Sequence, residues 1–162
     1  SYAWMYGFAK LGMHYVAYGP DVLAAELDQE VLKKVQEVAA KTGATIEVSS
    51  DPAILKGADV LYTDIWASMG EEAQIPERVK LLTPYRVTIE MLEATGNKDV
   101  IFLHCLPSFH DFETKMAKTQ MEEGYDIREV TDEVFRSRHS KVFDEAENRL
   151  HSIKSVIVAT IG

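Results

Sequence analysis

The sequence predicts an α/β fold of three layers, a mostly parallel sheet with helices on both faces. Three observations carry this. Short apolar or β-branched runs alternate with segments of helical period. The intervals between most of those runs are long enough for the crossover helices that parallel strands require. Finally, 162 residues, 46% of them hydrophobic and 27% charged, suit one ordinary globular domain over 1–162.

The elements follow in order. Ser1 to Lys10 reads as a helix that begins abruptly; it is too short to span a membrane and lacks the basic flank and cleavage pattern of a signal peptide. His14-Tyr15-Val16-Ala17-Tyr18 is the first strand. From Asp28 to Thr42, Val31, Leu32, Val35, Val38 and Ala39 recur on one helical face, and Gly43 supplies the stop. Thr45-Ile46-Glu47-Val48 is a second strand, and Ser50-Asp51-Pro52 opens a short helix towards Gly57. A third strand covers Asp59 to Thr63. Helices are expected from Pro76 to Leu82 and from Thr88 to Ala94, the latter ending at Gly96. The fourth strand is Val100-Ile101-Phe102-Leu103-His104. A helix over Phe112 to Glu123 and a final one opening at Phe143 complete the chain.

Charge and cysteine usage exclude several classes. A formal net charge of −9 argues against nucleic acid or an anionic membrane as the main partner. Cys105 is the only cysteine, so no intrachain disulfide forms and a cytoplasmic home is expected.

Ligands of open parallel sheets sit beyond the C-terminal strand ends, which singles out two loops. The first is Asp64-Ile65-Trp66-Ala67-Ser68-Met69-Gly70. A carboxylate at the end of an apolar strand needs solvent or a donor such as an ammonium. By itself Asp64 fits a helix cap or a surface acid better than a ligand contact. The second loop is His104-Cys105-Leu106-Pro107-Ser108-Phe109-His110-Asp111. As neighbours on an extended segment, His104 and Cys105 point to opposite faces and cannot act as base and nucleophile for each other. One Cys and scattered His do not supply a structural zinc set, so no metal site is expected. A small buried thiol at a strand end remains an alternative. In the last helix, Glu145 and Arg149 are spaced for an i, i+4 pair, and Arg149 is also a candidate for anion recognition.

Asp64 with Ser68-Met69-Gly70, His104-Cys105-Leu106-Pro107 and Glu147-Asn148-Arg149 occur in the order and at intervals similar to those of ornithine carbamoyltransferases. Val130-Thr131-Asp132-Glu133-Val134-Phe135, Val142 to Arg149 and Val158-Ala159-Thr160 extend the resemblance over nearly the whole chain. The resemblance implies a Rossmann-like domain holding the amino-acid side of a two-domain transferase of arginine biosynthesis, which joins carbamoyl phosphate and L-ornithine. It places the ornithine α-amino group at Asp64 and its amino-acid end at Ser68 and Met69. Cys105 would lie beside the reacting amine, the Leu106 carbonyl would accept from the carbamoyl amine, and Arg149 would help bind carbamoyl phosphate. No cofactor is implied.

Departures from the family pattern set further expectations. The phosphate-binding domain and the first strand of the ornithine domain are not in the sequence. Tyr2, Trp4, Tyr6 and Phe8 stand where smaller or aliphatic residues are commoner, and Lys141 stands where an aliphatic strand residue is expected. Together they point to a truncated and engineered domain that is inactive in isolation, retains at most weak L-ornithine affinity, and meets carbamoyl phosphate only with a further domain. The alternative is a non-catalytic binding or self-assembling scaffold, a homodimer through the aromatic N-terminal helix. A thiol hydrolase built on Cys105 ranks below both. The tail Ser155 to Ile161 is expected to stay helical, although its β-branched run would also suit a replacement strand.

Overall fold

Each of the four strands forms within one residue of its expected bounds, and every pairing between them is parallel. The computed structural model describes residues 2–67 and 70–162. It groups the chain into two compact units, Ser1–Ile54 and Leu55–Gly162.

In the first unit, α1 (Tyr2–Leu11), β1 (Tyr15–Tyr18), the short α2 (Asp21–Ala24), α3 (Gln29–Thr42) and β2 (Ile46–Ser49) follow one another. β1 and β2 pair from Tyr15↔Ile46 to Tyr18↔Ser49. Met5 and Ala9 of α1 pack with Val35 and Ala39 of α3 in a core from which water is almost absent. Asp28 caps α3, its Oδ1 accepting from the N–H groups of Glu30 (2.8 Å) and Val31 (3.1 Å). The Asp28 N–H in turn donates to the Tyr2 hydroxyl at 2.7 Å, which ties the start of α1 to the start of α3. Gly43, at φ 80°, ends α3 in the left-handed conformation that a side chain would oppose. The aromatic residues of α1 therefore serve this core more than they form an open face. Tyr2 and Tyr6 pack against it, and Phe8 lies between Trp4 and Tyr15.

The second unit holds β3 (Val60–Thr63), α4 (Ile75–Leu82), α5 (Ile89–Ala94), β4 (Ile101–His104), α6 (Lys115–Glu122), the short α7 (Asp132–Phe135) and α8 (Val142–Ile161). β3 and β4 pair from Val60↔Ile101 to Thr63↔His104. Phe102 is fully buried, and on the other flank of β4 it bridges Ser140. Thr88, Thr114 and Thr131 each cap the helix they precede. The Leu106–Pro107 peptide is cis.

α8 runs unbroken through the β-branched tail, as expected. The Ser155 and Thr160 hydroxyls donate back to the carbonyls of His151 and Val156, so neither polar group competes for another structure. Lys141 does not sit in a strand; it lies at the start of α8, exposed, beside Asp144. No described helix is long and apolar enough to cross a membrane.

Candidate functional site

The parallel register of β3 and β4 brings Thr63 level with His104, so the residues that follow each strand emerge side by side. Asp64 Oδ1 accepts from the Cys105 thiol at 2.8 Å and from the Ile65 N–H at 2.7 Å. Asp64 is exposed, as a surface acid would be, and it caps no described helix. Cys105 is exposed, contrary to the alternative of a small buried thiol. Partial burial pushes the Cys105 thiol above its usual range, and its bond to Asp64 adds to this, against a lowering contribution from Tyr62. Tyr62, on β3, is raised strongly by burial and then by its bond to Cys105.

His104 points the other way, as the extended backbone requires. It is almost fully buried. Its Nδ1 meets the Cys105 carbonyl, and its Nε2 lies 2.9 Å from Glu129 Oε1, a close but poorly directed approach. Glu129 Oε1 also accepts from the Ser108 hydroxyl (3.0 Å) and the Phe109 N–H (2.5 Å). Fully buried Glu129 therefore holds the Ser108–Phe109 end of the loop that carries Cys105, Leu106 and Pro107, with the His104 ring beside it.

α8 contributes Glu145. Its Oε2 accepts from the His104 backbone N–H at 3.0 Å, and burial raises its carboxyl while that N–H opposes the rise. The expected Glu145–Arg149 pair does not form, because Glu145 is turned towards β4. Arg149 is exposed, and among the described residues its side chain makes no hydrogen bond or ion pair. Leu106 is partly exposed beside Cys105. Ser68 and Met69, expected at the amino-acid end of a ligand, lie outside the described residues.

Of the residues expected from sequence, then, the structure joins Asp64 and Cys105 directly, sets Leu106 next in the chain, and shows no hydrogen bond or ion pair from the exposed Arg149 side chain among the described residues. Sequence reasoning missed Glu129 and undervalued Glu145. The signal for Glu129 was an acid wedged between Ile127 and Val130, both of which are buried. A protease-like reading of Cys105 finds no support here: the neighbouring imidazole faces Glu129, and a raised thiol is the opposite of an activated nucleophile. Ligand atoms of His110, Asp111 and Asp132 lie within 4.8 Å of one another, but Arg136 supplies positive charge to both carboxylates.

The family model described as "Aspartate/ornithine carbamoyltransferase, Asp/Orn binding domain" matches residues 1–160. A catabolic ornithine carbamoyltransferase of Clostridium perfringens (strain 13 / Type A) is 63% identical over all of this chain and 49% of its own length. One of Bacillus licheniformis is 52% identical, over 96% of this chain and 47% of its own. The solved ornithine carbamoyltransferase of Pyrococcus furiosus superposes with a TM-score of 0.77 at 37% identity, covering 96% of this chain and 44% of that one. The chain thus spans about half the length of the curated relatives it matches.

Proposed function

Since the chain belongs to the aspartate/ornithine carbamoyltransferase family as its Asp/Orn-binding domain, we propose that residues 1–162 form the ornithine-holding part of an ornithine carbamoyltransferase. The observation that carries this reading is the Asp64–Cys105 contact at the ends of β3 and β4. An exposed carboxylate beside a protonated thiol offers an ammonium ion a charge partner and an amine a nearby acceptor. In this reading Asp64 takes the α-amino group of L-ornithine, Ser68 and Met69 its amino-acid end, and Cys105 flanks the side-chain amine. The Leu106 carbonyl accepts from the carbamoyl group, and Arg149 meets carbamoyl phosphate. Transfer places a neutral amine against a polarised carbonyl, so orientation and charge stabilisation supply most of the catalysis.

In this reading residues 1–162 by themselves hold the amino acid weakly and do not turn over. Carbamoyl phosphate binding requires the other half that the relatives possess. The Clostridium perfringens strain 13 and Bacillus licheniformis relatives are named catabolic, which favours that direction over arginine biosynthesis.

A second reading, an assembly scaffold on the same fold, draws support from α8. There Leu150, Ile153, Val156, Ile157 and Ile161 are all exposed. Calorimetric titration with L-ornithine, paired with sedimentation, separates the two. Heat of binding that vanishes in Asp64→Ala supports the first; no heat from a chain that sediments as a dimer supports the second and overturns the first.

A further inference from the structure

β4 alternates its N–H groups between two neighbours. Ile101 donates to Asp59 on the β3 side, and Phe102 donates to His139 on the other at 2.8 Å. Lys141 returns the second bond, its N–H donating to the Phe102 carbonyl at 2.9 Å. A parallel ladder would next join the His104 N–H to the Lys141 carbonyl. That carbonyl is turned along the helix instead, accepting from the Glu145 N–H at 2.9 Å in the first turn of α8. The chain has left the sheet for the helix one rung too early for His104, and a buried N–H without a partner is costly.

Glu145 fills the gap with its side chain, Oε2 standing 3.0 Å from the His104 nitrogen. We infer that Glu145 is a positioning residue of this site, its carboxylate replacing the missing backbone rung and so fixing the main chain that presents Cys105 to Asp64. This rests on the reading of Asp64 and Cys105 as the amine-facing pair. The groups around the Cys105 thiol are Tyr62 from β3, Asp64 from the loop after it, and Glu145 from α8, whose negative charge also opposes ionisation of the thiol. One carboxylate thus does two separable things: it accepts a hydrogen bond and it carries charge.

Two variants of the whole chain divide them. Glu145→Gln keeps an acceptor and loses the charge; Glu145→Ala loses both. In amide hydrogen exchange, the His104 N–H should exchange about tenfold faster in Glu145→Ala than in the wild type, the worth of one charge-assisted bond, and stay near wild type in Glu145→Gln. The pH profile of Cys105 alkylation should move to lower pH in Glu145→Gln. A His104 amide unchanged in Glu145→Ala, or equally fast in both variants, overturns the inference. If Glu145→Ala does not fold, a His104 amide that exchanges in Glu145→Gln as fast as an unbonded amide overturns the inference. Both readouts are taken without L-ornithine, so they fail independently of the calorimetric test.

Discussion

The Cys105 thiol donates to Asp64 Oδ1 at 2.8 Å, joining the ends of two adjacent parallel strands. The proton stays on sulfur because partial burial and the facing carboxylate both disfavour a thiolate. A neutral thiol beside an exposed carboxylate suits reception of a cation far better than attack on a carbonyl. In the proposed reading an arriving ammonium would take over Asp64 while the rest of the amino acid covers the thiol and shields it from reagents.

The alkylation rate of Cys105 should therefore rise at higher pH than that of a free cysteine, whose pKa is about 8.5. Asp64→Asn removes the charge and should bring the profile down towards that value. A rate-against-pH series with iodoacetamide on both proteins checks the shift and its direction.

Glu129 is fully buried and holds His104, Ser108 and Phe109 at once. Glu129→Ala strands the Ser108 hydroxyl and the Phe109 N–H and should cost about 1–3 kcal/mol, the penalty for buried polar groups left unpaired. Glu129→Gln keeps an acceptor for Ser108 and Phe109 and should cost less. Urea denaturation of the two variants measures the difference.

Asp28 caps α3 and receives Tyr2. Asp28→Ala should destabilise the first unit by about 1 kcal/mol. Amide exchange over residues 29–42 should quicken, while β3 and β4 keep their protection.

Acid should weaken the second unit through Asp126. Burial works upward on this carboxyl, but bonds from Arg128 and the charges of Arg86 and Arg128 outweigh it and hold it below its usual value. A folded-state pKa depressed below the unfolded one gives stability that is complete above the unfolded value, about 3.9, and is lost as pH falls through the folded value. Asp126→Asn should flatten this acid limb below about pH 4, a change visible in thermal melts across pH.

β1 and β3 were legible because their apolar runs stop at Gly19 and Asp64, and α3 because its cap, apolar face and Gly43 all agree. Asp64 and Cys105 were legible as strand-end residues. Their contact was not, since it depends on the β3–β4 register. Glu145 looked like a helix-surface acid paired with Arg149; what redirects it is an unfilled rung on β4, which no local pattern displays. Glu129 is similar: only the loop folded over it supplies the donors that make its burial tolerable. The aromatic residues of α1 suggested an exposed contact face, yet the core against α3 absorbs Tyr2 and Tyr6. The largest exposed apolar run lies instead on α8, where the helical period places Leu150, Ile153 and Ile157 on neighbouring turns.

The most direct measurement is the alkylation rate of Cys105 at fixed pH as L-ornithine is added. Saturable slowing in the wild type that disappears in Asp64→Ala is expected. A rate indifferent to L-ornithine at every concentration would contradict the placement of the amino acid against this pair.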